Sequence, residues 1–360
     1  MAKILILGAG VMGSSLSVPA LDNGHEVLLA GTHLDVEIID ALKADRSKHP
    51  TLRAPLPTEV IPLQIGEVGP EQGAAADVIV VGVSSPGIDW VIGQLIRLVD
   101  RPKPIALVTK GLAETGHEKP GAFTDRVRNA LGAKGLGDCA LIGIGGPCIA
   151  RELALRQPTS VVFASDELSV AADFARMMQT EYYRVHTSDD LLGVEACAAL
   201  KNFYAIGVSA MISRYVNPDK AEPAPAKNPT AAVFNQAIQE MARLAAWIGG
   251  RRETAFDLAG AGDLHVTVGG GRNSKLGKHL GANLAVTQVM EGPLKGETVE
   301  GLDTGRSLAP GLFSAFERGT LNPGAFPLAC ALLDAILKNK LFAFDHGSLG
   351  TALYPMETTS

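Results

Sequence analysis

The chain's most pointed chemical feature is Lys201 with Asn202, set inside the apolar run LLGVEACAALKNFYAIGVSAMI. Burial disfavours an ammonium and can depress a lysine's pKa by roughly 3–5. A lysine tuned toward neutrality can take or give the proton that interconverting an alcohol and a ketone requires. A second amine, Lys110 in VTKGL, falls just past an expected strand end, where it can neutralise an anion or polarise a carbonyl. Asp263 and Thr267 in LAGAGDLHVT are four apart and share a face if helical. Asp263 then either orients and charge-balances the lysines or serves as an N-cap. Arg272, flanked by glycines in GGGRNSKLGKHLG, suits bidentate recognition of a phosphate, while Lys275 and Lys278 read as a solvated face. For Lys201 and Lys110 the plainer alternative is an amine that escapes to solvent.

A glycine-rich turn supplies a second chemistry. GAGVMG, Gly8 to Gly13 with Val11 and Met12 between, fits G-x-G-x-x-G and stands between an apolar run and a helical pattern. Such glycines allow a tight turn and close backbone approach, and the following helix start offers N–H groups to a pyrophosphate. The next apolar run ends in LLAGTHLD, with Thr32 and His33 where an NAD-selective site places a carboxylate. Asp35 comes a few positions later and no arginine is nearby, so the lean is slight, toward NADP over NAD. IGIGGPCIARE is another glycine turn opening a helix, readable as an oxygen-binding turn or a structural one.

The elements that must hold these residues alternate along the first half. Strands are expected at 3–7, 26–30, 78–83, 105–109, 140–143 and 160–164, with helices at 13–23, 35–43, 88–98, 122–131 and 168–178. Near-continuous apolar strands separated by helices imply a parallel-rich sheet covered on both faces, a Rossmann-type α/β domain over residues 1–190. Beyond it only helical patterns continue, at 191–212, 229–248, 253–258, 274–280, 303–318 and 327–337, giving an all-α domain over 191–350. The proline- and charge-rich stretch 214–229 reads as an exposed loop, and the tail 354–360 is expected to fray.

Composition narrows the setting. A chain of 360 residues with 46% hydrophobic and 19% charged residues describes a two-domain globular protein. A net charge of −6 argues against a nucleic-acid binder. Four scattered cysteines, Cys139, Cys148, Cys197 and Cys330, suit reduced thiols in the cytoplasm, with no zinc-type spacing and no metal expected. The opening MAKILILGAGVMG reads as a first buried strand rather than a secretory signal. The run around Lys201 carries Glu195, Lys201 and Asn202 and so reads as a buried helix rather than a membrane span.

Taken in order, GAGVMG, TKGL, GGPCIARELALRQPTSVVFAS, GVEACAALKNFYAIGVSAM, AGAGDL, GGRN and TVEG resemble NAD(P)-dependent glycerol-3-phosphate dehydrogenases, over about residues 3–310. The resemblance implies a Rossmann domain, a helical domain and catalysis in the cleft between them. It implies hydride transfer between nicotinamide and C2 of the glycerol 3-phosphate/dihydroxyacetone phosphate pair. Carried over residue by residue, Lys201 would be the proton acceptor, Lys110 would contact substrate and nicotinamide, and Asp263 would complete the catalytic group. Thr267 and Asn202 would be supporting contacts, Arg272 and Asn273 would bind the substrate phosphate, and Gly146 and Cys148 would line the substrate site. Ala150, Arg272 and Glu300 would lie near the cofactor. Cys148 stands where the family usually has Ser or Thr, and Gly271 where it usually has a serine. The 214–229 loop also looks longer than the family's. These departures point to a cleft reshaped for a related anionic polyol. The alternatives are a dehydrogenase of another phosphorylated polyol or ketose, one of the 3-hydroxyacid or 6-phosphogluconate type, and a module that senses NAD(P) without turnover. The partners expected are a small phosphorylated molecule, no nucleic acid and no membrane, with a homodimer left open.

Overall fold

Five residues, Lys3–Leu7, read KILIL and form β1, whose last four residues are buried. The computed structural model containing it describes residues 1–113, 119–217 and 224–349. The remaining sheet strands are β2 (Glu26–Ala30), β3 (Ile61–Leu63), β4 (Val78–Val81) and β5 (Ile105–Leu107). Two-residue β6 (Leu112–Ala113) and β7 (Gly121–Ala122) pair with each other, and β8 (Leu141–Gly145), β9 (Thr159–Ala164) and β10 (Tyr183–Ser188) follow. Eight strands form one sheet in the order β10-β9-β8-β5-β4-β1-β2-β3. It is parallel except between β8 and β9, so β9 and β10 run against the rest. The order reverses beside β1, between β4 and β2, the kind of place where open α/β sheets bind ligands. Helices α1 (Val11–Asp22), α2 (Val36–Ala44), α3 (Pro70–Ala75), α4 (Ile88–Leu98), α5 (Phe123–Gly132), α6 (Ala150–Ala154) and α7 (Leu168–Met178) connect the strands. The parallel-rich α/β fold expected from the strand pattern is therefore present.

Within the eight-stranded sheet the strand pattern missed β3 and β10, for different reasons; it also gave no sign of the short β6 and β7 pair. β3 is three residues with a central proline. β10, YRVHTS, is an edge strand whose alternating buried and exposed residues break the apolar continuity of its neighbours.

The second half is helical: α8 (Leu191–Arg214), α9 (Lys227–Ile248), α10 (Asp263–Gly269), α11 (Arg272–Gly281), α12 (Val286–Glu291), α13 (Glu300–Glu317) and α14 (Pro327–Lys338). One small exception is an antiparallel ladder of β11 (Val216–Asn217) with β12 (Ala224–Pro225), inside the stretch expected to be loop. The helix expected at 253–258 is instead a 3-10 turn, Glu253–Phe256, then a π-helical turn, Leu258–Gly262, running into α10. The centre of the 214–229 stretch, 218–223, and the tail 354–360 lie outside the described residues.

α8 is long and apolar enough to cross a membrane by composition, but 94% of its most apolar window is buried inside the fold. It can be sheathed closely because glycines face it. A Cβ on Gly277 would stand 2.2 Å from the Ile206 carbonyl oxygen, one on Gly281 2.0 Å from that of Ala210, and one on Gly301 2.5 Å from that of Asn202. The chain divides into two compact units, Met1–Lys110 with Ala122–Glu195, and Gly111–Gly121 with Ala196–Ser360. The division falls within α8, after Glu195.

Candidate active site

In the first unit, β1 delivers the chain into the glycine turn. Gly8 takes φ +112, a left-handed conformation that suits glycine, and its N–H donates to the Ala30 carbonyl at 2.8 Å. Gly13 is required by space: its Cβ would lie 2.1 Å from the Gly8 carbonyl oxygen. Nothing stands within 4 Å of where a Cβ on Gly10 would point. The turn therefore presents open backbone at the start of α1, the shape that a pyrophosphate needs. A cavity of about 300 Å³ adjoins it, lined among others by Gly8, Gly10, Thr32, His33, Asp35 and Trp90. The His33 and Trp90 rings are 5.9 Å apart. Asp35 does not extend freely into this space. Its Oδ2 accepts the N–H of Thr32 at 2.8 Å and that of Ala9 at 3.2 Å.

Still in the first unit, Met12, Lys110, Gly146 and Cys148 gather around one narrow recess. Ser85 donates its hydroxyl to the Lys110 carbonyl at 2.7 Å, fixing the backbone that carries the amine. Gly146 has φ +114 just past β8, and Ala150, buried, opens α6. Cys148 is half-buried.

The second unit holds the lysine of the apolar helix. Lys201 is only 7% exposed. Its Nζ donates to Asp263 Oδ1 at 2.7 Å and to Thr267 Oγ1 at 2.7 Å. Asp263, also buried, is the first residue of α10. Thr267, one turn on, donates its own hydroxyl to the Asp263 carbonyl at 2.7 Å. Aspartate and hydroxyl thus share a helix face and close on the ammonium together. Beside them Asn273 Nδ2 donates to Asn202 Oδ1 at 3.0 Å, and Asn273 Oδ1 accepts the Gly301 N–H at 2.9 Å. Arg272, the first residue of α11 after Gly271 at φ +90, pairs with Glu300, the first residue of α13. Arg272 keeps 45% of its side chain exposed. Lys275 and Lys278 are exposed, as their spacing suggested.

The structure therefore brings together Lys201, Asp263 and Thr267, and separately Arg272 with Glu300 and Asn202 with Asn273. Three groups escape a reading of the sequence. Asp35 is visible there as a carboxylate, but its engagement with two backbone N–H groups does not follow from spacing. His49 is buried with its ring against Ala9 and Ser14. Glu195 accepts the Thr124 hydroxyl and lies against Gly143; burial, the dominant cause, pushes its carboxyl up to about 8, against the lowering effect of that hydrogen bond. Nothing in the sequence pairs these residues.

Comparison with known proteins identifies the family. Residues 3–171 match the N-terminal profile of NAD-dependent glycerol-3-phosphate dehydrogenase and residues 190–340 match its C-terminal profile. A relative from Archaeoglobus fulgidus, named NADP(+)-dependent glycerol-3-phosphate dehydrogenase, is 39% identical over 80% of this chain and 82% of its own. One from Shouchella clausii, named glycerol-3-phosphate dehydrogenase [NAD(P)+], is 30% identical over 84% of each chain. The crystal structure of glycerol-3-phosphate dehydrogenase from Coxiella burnetii superposes with a TM-score of 0.76 at 25% identity, covering 94% of this chain and 96% of that one. The chain belongs to the NAD-dependent glycerol-3-phosphate dehydrogenase family, a family of oxidoreductases.

Proposed function

We propose that the chain interconverts sn-glycerol 3-phosphate and dihydroxyacetone phosphate, with NADP or NAD as coenzyme and Lys201 as the acid/base. The observation that carries this is the buried ammonium held by Asp263 and Thr267. A nicotinamide bound there would supply the hydride chemistry at C2. The residues do the rest. In the oxidative direction Lys201, as the neutral amine, takes the proton of the C2 hydroxyl and becomes the ammonium held by Asp263; in reduction that ammonium gives a proton to the carbonyl oxygen as the C–O double bond becomes a single bond. Asp263 balances that charge in a site too dry for water to do so. Lys110 serves the substrate and nicotinamide, with Gly146, Cys148 and Asn202 as further substrate contacts. Arg272, with Asn273 beside it, receives the phosphate, a role its exposed guanidinium supports.

For the coenzyme, Gly8, Gly10, Val11, Met12 and Gly13 would hold the pyrophosphate, supported by the open cradle above Gly10. Thr32 would sit at the ribose, while Ala150, Lys110, Arg272 and Glu300 would serve the nicotinamide end. The preference inferred is for NADP. Thr32 and His33 line the pocket, Asp35 beside them has one carboxylate oxygen, Oδ2, tied to two backbone N–H groups, and the Archaeoglobus relative is named for NADP(+). A second reading, a related phosphorylated polyol or ketose as substrate, is favoured by Cys148 and by Gly269, Gly270 and Gly271, each with open space where a side chain would project.

The test is a spectrophotometric assay of NADPH and NADH oxidation with dihydroxyacetone phosphate and several phosphoketoses, on the wild type and Lys201→Ala. The variant should keep its coenzyme affinity and lose on the order of 10²–10⁴ in turnover. Normal turnover would remove the lysine from the mechanism.

A further inference from the structure

His49 lies in the segment between α2 and β3, forty residues after Ala9, and is 4% exposed. Both of its ring nitrogens are engaged. Nδ1 accepts the backbone N–H of Leu52 at 3.1 Å and that of Thr51 at 3.3 Å, so it carries no proton. The ring hydrogen is therefore on Nε2. Nε2 lies 3.0 Å from the Ala9 carbonyl oxygen and 3.0 Å from Ser14 Oγ. Ser14 in turn donates its hydroxyl to the same Ala9 carbonyl at 2.9 Å. Ala9 is the residue between the first two glycines of the turn, and its N–H is held from the other side by Asp35. One alanine is thus fixed at both its N–H and its C=O, and His49 closes the C=O side.

We propose that His49 is a positioning residue for coenzyme binding: its neutral ring holds the Ala9 carbonyl, and through it the glycine turn, in the binding shape, and protonation of the ring releases that hold. The inference rests on the reading that this turn binds a dinucleotide. Protonated His49 would aim an Nδ1–H at the two N–H groups that Nδ1 now accepts. The ring or the 49–52 turn must then move, withdrawing the donor from Ala9. Burial dominates and lowers the histidine below its ordinary 6.5, against the hydrogen bond to the Ala9 carbonyl and, more weakly, the charge of Asp35, the charged group facing the ring among the described residues, both of which favour the protonated form. The sign follows directly. Binding is unaffected above about pH 6.5 and weakens as pH falls through the lowered value, approaching about tenfold per pH unit for one linked proton.

The probe is NADH, which lacks a 2′-phosphate that would itself titrate, with NADPH in parallel, both followed by fluorescence titration. At pH 8, His49→Gln, which restores a donor, should bind within about threefold of wild type, and His49→Phe about tenfold more weakly or worse, the scale of one lost buried hydrogen bond. In assays His49→Phe should raise the coenzyme KM with little change in kcat at saturation. Wild type should lose affinity on acidification while His49→Gln stays flat. Equal acid weakening in wild type and His49→Gln would overturn the proposal, as would wild-type affinity in a folded His49→Phe. If the phenylalanine variant does not fold, the glutamine pH comparison decides. Failure of wild type to bind either nucleotide at pH 8 would instead refute the dinucleotide reading itself.

Discussion

Cutting the ion pair between Lys201 and Asp263 from both sides should damage the second unit by clearly less than the two single cuts added together. The pair is 2.7 Å apart with side-chain exposures of 9% and 4%. At that separation and an effective dielectric near 20, Coulomb attraction is about 6 kcal/mol, most of it offset by the cost of desolvating two ions. Removing one partner strands the other charge, and about 3–5 kcal/mol is the usual penalty. Lys201→Met and Asp263→Ala should each cost about that much, and the double variant clearly less than the sum, with a coupling of about 2–3 kcal/mol. The chain has two tryptophans, Trp90 in the first unit and Trp247 on α9 in the second. A Trp90→Phe background therefore leaves Trp247, buried at 8% exposure, as the indole reporting urea unfolding of the second unit. Additivity within about 0.5 kcal/mol would refute the coupling on which the buried lysine's role depends.

Other outcomes follow from the same geometry. Gly13→Ala should abolish coenzyme binding, because its methyl would lie 2.1 Å from the Gly8 carbonyl oxygen; calorimetric titration showing normal binding would contradict the cradle. Arg272→Ala should raise KM about 10–100-fold for phosphorylated substrates, in line with a charged hydrogen bond of about 1.5–3 kcal/mol, and leave an unphosphorylated analogue unaffected; an equal effect on both would argue against phosphate recognition. Glu195 stays protonated in the fold up to about pH 8 while the unfolded chain ionises near 4.5, so the native state binds the extra proton. Stability of the first unit should fall by about 1.4 kcal/mol per pH unit across that window, and Glu195→Gln should flatten the decline. An unchanged slope in denaturation midpoints against pH would show that another group is responsible.

How far the sequence reaches depends on the range of the interaction. Strands such as KILIL and VIVV announce themselves because each is buried on both faces, so nearly every residue is apolar. The half-exposed edge strand YRVHTS does not, and the three residues of β3 carry too little pattern. The glycine turn was legible because backbone geometry dictates residue type locally. The face shared by Asp263 and Thr267 was legible from helical spacing, but their closure on Lys201 spans 62 and 66 residues and only folding reveals it. His49 was invisible for the same reason: its contacts to Ala9 and Ser14 cross 40 and 35 residues, and a histidine in a loop looks like any other.

The glycines against α8 carry a consequence for how such an enzyme can change. Where Gly277, Gly281 and Gly301 meet the helix, main chain rests on main chain, with no rotamer able to yield and no methyl group to trim. The helix bearing Lys201 is thus held in a rigid seat that side-chain replacements elsewhere leave untouched. Residues such as Cys148, or the run from Gly269 to Gly271, can be exchanged while Lys201 keeps its place, which on the proposed function would let a different polyol enter without moving the proton-transfer group. Selection can redraw what the protein recognises without having to rebuild how it reacts.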